Sequence, residues 1–252
     1  MDEAVATRGL TRRFGDLVAV DALDLSVPRG SFYGFLGPNG AGKSTTLKCL
    51  TGLLRPSSGT VRVLGLDPLA DGVAVKRQVG VVPEEVALYE RLSAGETLAF
   101  VGQVHGLPPP VVAERSGELL ELLDLAPAAR RLVADYSHGM RKKLAIAVAL
   151  LPAPRLLFLD EPFEGIDAVT SRQMKSVLQT FVGHGGTVFL TSHILEVVER
   201  LADHIGIIDH GRLVTQGPLA ELRADPSTSL EELFLSVVGA GEAEKPELGW
   251  LA

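Results

Sequence analysis

Ser31-Phe32-Tyr33-Gly34-Phe35-Leu36 runs directly into Gly37-Pro38-Asn39-Gly40-Ala41-Gly42-Lys43-Ser44. The first part is a short apolar run of the kind that forms a buried strand. The second fits G-x-x-x-x-G-K-[ST], and Lys43–Leu54 reads as a helix, so the motif has the strand–loop–helix setting that gives it meaning. Its glycines let the backbone curl until successive N–H groups converge on one point. The start of the helix adds the positive end of its dipole. Such a cradle binds phosphate. Gly37, Pro38, Asn39, Gly40, Ala41, Gly42, Lys43, Ser44 and Thr45 are the candidate nucleotide-binding residues. Lys43 is suited to bridge the β- and γ-phosphates, and Ser44 offers a hydroxyl to Mg2+.

Working outward, the segments on both sides build an α/β pattern. Ala4–Phe14 and Leu17–Val27 alternate loosely, as strands do, and Gly59–Leu66 reads as another strand. From about Tyr89 to Leu150 the period changes: Ala94–His105 and Val111–Leu125 carry apolar residues at helical spacing, broken by Pro108-Pro109-Pro110. Beyond Leu150 strands return at Arg155–Asp160, Thr187–Thr191 and Ile205–Ile208, with helices near Ala168–Val182 and Ile194–Ala202. Strands alternating with helices predict a largely parallel sheet covered on both faces, interrupted by a helical insertion.

Composition bounds what this fold can serve. The 252 residues are 46% hydrophobic and 22% charged, enough for one large domain or two small ones. With 24 Lys+Arg against 31 Asp+Glu, the net charge of −7 argues against coating nucleic acid. Cys49 is the only cysteine, so no intramolecular disulfide is expected; it reads as a small buried apolar residue in a reducing cytosol. No signal peptide is visible in the opening residues. The longest uncharged apolar run, between Lys143 and Arg155, falls well short of the roughly 18–20 residues a spanning helix needs. The chain is expected to be soluble.

A second acidic site follows from Leu156-Leu157-Phe158-Leu159-Asp160-Glu161. A buried strand here delivers both carboxylates to the carboxyl edge of the sheet, where ligands of such folds bind. Asp160 is suited to hold Mg2+ through its water shell. Glu161, one residue further on, is suited to polarise an attacking water as general base.

Three further features resemble the ATP-binding cassette (ABC) ATPases. Tyr136-Ser137-His138-Gly139-Met140 resembles their signature motif, Gly165-Ile166-Asp167 their D-loop, and His193 occupies the place of their switch histidine. Order and spacing agree from about Leu10 to Leu235. The resemblance implies a P-loop NTPase core with a mostly parallel sheet, an N-terminal antiparallel β subdomain and an inserted helical subdomain at about residues 87–150. The cassette would span residues 1–238, with a flexible tail over 239–252 that contains Trp250. It also implies a head-to-tail pair of cassettes, each ATP lying between one P-loop and the signature residues Ser137, His138, Gly139 and Met140 of the other. Phe14 matches the aromatic that stacks on adenine, the competing reading being core packing. Asp167 would be the D-loop acid, and His193 a contact to the γ-phosphate and the attacking water.

The departures from the family pattern are local. Glu84, after Val79-Gly80-Val81-Val82-Pro83, stands where the family's Q-loop has glutamine; a carboxylate there is a third candidate metal ligand, with Ser44 and Asp160. His138 and Met140 replace a glycine and a glutamine, and Phe163 a small hydroxyl residue. Arg141-Lys142-Lys143 reads either as added positive charge or as a solvated helix face. The signature variant, the Pro83-Glu84 pair and the ending Ser229-Leu230-Glu231-Glu232-Leu233-Phe234-Leu235 look most like export-type bacterial subunits. The implied protein is an ATP- and Mg2+-dependent hydrolase at the cytoplasmic face of the membrane. Its partners would be a second cassette and a membrane permease on a separate chain, with no nucleic acid. The rival is a soluble, non-transport ABC ATPase of an assembly or repair complex.

Overall fold

The computed structural model describes residues 3–223, 225 and 228–239. In chain order the elements are β1 (Glu3–Phe14), β2 (Leu17–Leu23), β3 (Ser26–Pro28), β4 (Phe32–Leu36), α1 (Lys43–Leu50), β5 (Ser58–Val63), α2 (Gly72–Lys76) and β6 (Val79–Val82). Then come α3 (Ala94–Val104), α4 (Pro109–Leu122), α5 (His138–Leu150), β7 (Leu156–Asp160), α6 (Ala168–Gly183) and β8 (Thr187–Ser192). The described chain closes with α7 (Leu195–Leu201), β9 (His204–Asp209), β10 (Arg212–Pro218), α8 (Leu219–Leu222) and α9 (Leu230–Val238).

Two sheets result. The larger is ordered β10-β9-β4-β8-β7-β6, parallel except where β10 pairs antiparallel with β9. Its central strands are buried at every position of β4, β7 and β8, which explains their unbroken apolar sequences. The smaller sheet is antiparallel throughout, with β2, β3 and β5 all pairing with β1. One core, from Phe32 and Leu36 through Leu144, Leu157 and Leu190, binds the large sheet to α3–α7. The other joins the small sheet to the opposite face through Val20, Leu47, Phe158 and Phe189.

Several segments differ in detail from the sequence expectation. Leu17–Val27 is two strands rather than one: both pair antiparallel with β1, β2 with its Leu10–Phe14 half and β3 with Glu3–Ala6, and the run breaks between Leu23 and Ser26. Ala22 lies in the left-handed region (φ 48), and Asp24 Oδ1 accepts a bond from the Gly9 N–H at 2.6 Å. The helix from Lys43 stops at Leu50 rather than Leu54, because Gly52 takes φ 71 and turns the chain. Pro109 and Pro110 begin α4 rather than merely interrupting a helical region; a missing N–H costs nothing in a first turn. The edge strand β10 carries little apolar signal, with no fully buried position along Arg212–Pro218. Trp250 and residues 240–252 lie outside the described residues. Among the described residues no helix is long and apolar enough to cross a membrane. Cys49 is fully buried, as its reading predicts.

Candidate functional site

The P-loop leaves β4 between two strands, β8 and β9, and its shape depends on backbone only glycine can supply. At Gly42 the chain takes φ 106, and a Cβ there would sit 2.5 Å from the Ala19 carbonyl oxygen; at Gly37 one would sit 2.3 Å from the Ile208 oxygen. Lys43 turns back over the loop, donating to the Gly37 carbonyl at 2.7 Å and the Pro38 carbonyl at 3.3 Å. Its ammonium also lies 3.5 Å from Glu161 Oε1.

The strand order then brings distant residues together. Because β4, β8 and β7 are neighbours, α1 faces the end of β7, and Ser44 Oγ donates to Asp160 Oδ1 at 3.2 Å. The same carboxylate oxygen accepts from Thr191 Oγ1 at 2.5 Å, leaving Asp160 only 4% exposed. Glu161 takes a left-handed backbone (φ 45), rare outside glycine and common at functional turns. Its N–H donates to Thr191 Oγ1 and to the Thr191 carbonyl, both at 3.2 Å. Its Oε2 receives the His193 backbone N–H at 3.2 Å and lies 3.0 Å from His193 Nδ1. Glu161 Oε1 is buried with no hydrogen-bond donor in the structure. Its near neighbour is the Lys43 ammonium, with which it shares the head of the P-loop.

These groups line a cleft of about 450 Å3, floored by Asn39, Gly40, Gly42, Lys43, Ser44 and Thr45. Phe14, Leu17 and Ala19 form one wall, and Glu84, Glu161, Glu164 and His193 the other. Phe14 is 45% exposed, so its ring is not core packing; the Arg12 guanidinium lies 4.4 Å from the ring centroid. A second cleft of about 420 Å3 lies among α4, α5 and α6, with Leu119, Val177 and Phe181 in its lining, far from the P-loop.

The signature and D-loop residues are not in the cleft. Ser137 caps α5 as its sequence predicts, accepting from the Met140 N–H at 3.3 Å. His138 Nε2 lies 3.4 Å from the Glu164 carbonyl oxygen, which touches the signature to the run leading into the D-loop. Asp167 caps α6, accepting from the Val169 and Thr170 N–H groups at 2.9 Å each and from Thr170 Oγ1 at 2.7 Å. Those bonds hold its carboxyl below the usual range. Phe163 is 5% exposed within the core, with the Lys175 ammonium 5.7 Å from its ring centroid, so the substitution serves packing.

One expectation is corrected. Lys142 and Lys143 are not a solvated face: they are 2% and 6% exposed. Lys143 reaches Gln173 Oε1 at 3.1 Å. Arg141 alone keeps partial exposure, paired with Glu90 at 2.9 Å. Thr191 and Glu164 carry no signal the sequence analysis used: Thr191 is a polar residue inside an otherwise apolar strand, where a buried hydroxyl requires partners, while Glu164 sits exposed in a turn.

Mg2+ fits the donor set. Among the described residues no cluster of three or more His, Cys, Asp or Glu could hold a metal by itself. A hydroxyl and a carboxylate side by side, Ser44 and Asp160, match the usual way Mg2+ is bound, with few protein ligands plus phosphate oxygens and water.

A phosphate cradle, a hydroxyl–carboxylate pair and a second buried carboxylate beside them are the parts of a nucleoside triphosphate site. Comparison with known proteins narrows this. The ABC transporter family profile matches residues 20–164. The chain is 39% identical over 238 residues to daunorubicin resistance ATP-binding protein DrrA3 of Streptomyces coeruleorubidus, covering 94% of this chain and 75% of that one. It is 36% identical over 224 residues to bacitracin transport ATP-binding protein BcrA of Bacillus licheniformis, covering 88% and 72%. A solved ATP binding subunit of an ABC transporter superposes with a TM-score of 0.87 at 29% identity, over 93% of this chain and 99% of that one. The chain belongs to the ABC transporter family. It is an ATP-binding, ATP-hydrolysing subunit.

Proposed function

We propose that this subunit powers export of a small molecule through a membrane permease carried on another chain, at the cytoplasmic face of the membrane. The relatives named for drug resistance and bacitracin transport support that direction. Exposed aromatics support a docking partner near Glu84: Tyr89 is 61% and Phe100 42% exposed, their rings meeting edge-on with centroids 5.3 Å apart.

In the proposed mechanism, ATP lies with its phosphates on Gly37–Thr45 and its adenine against Phe14. Lys43 leaves its carbonyl partners for the β- and γ-phosphates. Ser44, Asp160 and Glu84 would hold Mg2+, which would supply charge neutralisation on the phosphate oxygens. Glu161 takes a proton from the attacking water, and His193 steadies Glu161 and the γ-phosphate. The helical segment over about residues 87–150 belongs to the same cassette, spanning 1–238, and carries the signature away from its own cleft. Ser137 and Gly139 therefore meet ATP only on a second cassette, with Asp167 at the same junction.

The single observation that carries the hydrolytic reading is Glu161 Oε1, buried, without a donor and 3.5 Å from Lys43. The test is Glu161→Gln in the full chain: ATP binding is retained, phosphate release falls about 100-fold or more, and ATP shifts the variant to a dimer on size exclusion. Undiminished hydrolysis would overturn the assignment of Glu161. Recovery from detergent-solubilised membranes with soluble partners alone would sink the transporter role.

A further inference from the structure

Lys142 is among the most completely buried large side chains of the protein, yet it carries an ammonium group. It lies on α5, the helix that Ser137 caps. Its Nζ donates to the Glu84 carbonyl at 2.9 Å and to the Glu161 carbonyl at 3.3 Å. Those carbonyls lie just past the ends of β6 and β7, which pair in parallel with Val82 opposite Leu159. One ammonium therefore joins the carboxyl ends of two strands to the helix of the signature. Both bonds run to main-chain carbonyls, so the link does not depend on either glutamate's side chain.

Glu161 is where such a tether matters. Its backbone is left-handed, a conformation that persists only when the surroundings hold it. Thr191 holds its N–H side, and Lys142 holds its carbonyl. Glu84 has no strand of its own to fix it, and its carbonyl is held by the same Nζ. A lysine suits this position because a compact ammonium offers three donors in a tetrahedral spread, enough for two carbonyls on separate strands.

We propose that Lys142 is a positioning residue that fixes the main chain at Glu161 and Glu84, aiming both carboxylates into the cleft and tying them to the signature helix. The proposal rests on the hydrolytic role of Glu161. Movement of α5, whose capped end faces the second cassette, then moves both carboxylates together.

The test compares Lys142→Met, which keeps length but loses all donors, with Lys142→Gln and Lys142→Arg in the full chain. Hydrogen exchange is expected to quicken over residues 83–86 and 161–165 in the Met variant, with β4 and β8 unchanged. Its kcat for ATP falls about 10- to 100-fold while KM stays within two-fold, because the P-loop still holds the nucleotide. Arg restores most of kcat and Gln is intermediate. Wild-type exchange over both segments in the Met variant would overturn the tether, as would wild-type kcat in the Gln variant should the Met variant not fold. Glu161→Gln separates the two ideas: if that variant still hydrolyses ATP, the hydrolytic reading falls while the exchange result stands or falls by itself.

Discussion

Lys43 and Glu161 face each other across the mouth of the phosphate cradle, ammonium to carboxylate at 3.5 Å, both side chains 7% exposed. In the proposed mechanism the triphosphate enters this charge balance: ATP would supply the anion that takes Lys43 and would release Glu161 to face water. Removing Lys43 therefore leaves a buried carboxylate and no cation for the phosphates. We expect Lys43→Ala to weaken ATP binding about 10- to 100-fold, the scale of one charge-assisted hydrogen bond. Equilibrium binding of a fluorescent ATP analogue measures it, and unchanged affinity would contradict the site.

Phe14 offers an exposed ring backed by Arg12. A stacking contribution of roughly 0.5–1.5 kcal/mol makes Phe14→Ala lose about 2- to 13-fold in ATP affinity, with Phe14→Tyr close to wild type. Because stacking reads no base edges, GTP should lose by a similar factor. An effect on ATP alone would mean that the wall reads the base some other way.

The carboxylate at Glu84 gives a metal prediction. With a charged ligand replaced by a neutral amide, Glu84→Gln should need several-fold more Mg2+ for half-maximal hydrolysis, at unchanged ATP affinity in excess Mg2+. Titration of activity against Mg2+ decides it, and superimposable curves would remove Glu84 from the metal site.

Burial raises the Cys49 thiol from its ordinary 9.0 to about 11. Its neutral form is the one the fold accommodates, so its contribution is complete below pH 9 and is lost as pH rises towards 11. Wild type should exceed Cys49→Ala in denaturation midpoint at pH 7.5, and the gap should narrow by pH 10. A constant gap would show that the thiol does not titrate differently on unfolding.

Gly34 lies in β4 with its α-carbon against α7: a Cβ there would come 2.3 Å from Val198 Cγ1, and Val198 is fully buried. Gly34→Ala should cost about 1–3 kcal/mol through overpacking, seen as a lower melting temperature. An unchanged melt would mean that α7 yields without cost.

By itself the sequence determined the parts whose chemistry is contiguous. The Gly37–Ser44 loop, the apolar run ending in Asp160-Glu161 and the Ser137 cap are each local, and neighbouring backbone suffices to define them. The family order of those parts then carried the overall architecture. Tertiary structure decided what depends on strand order. Thr191 reaches Asp160 and Glu161 only because β8 lies beside β7, and His193 meets Glu161 for the same reason. The run Arg141-Lys142-Lys143 shows the limit most clearly. As text it is three cations on a helix, but packing places one at the surface and buries two, because a buried ammonium is tolerated only where carbonyls and carboxylates converge from other parts of the chain.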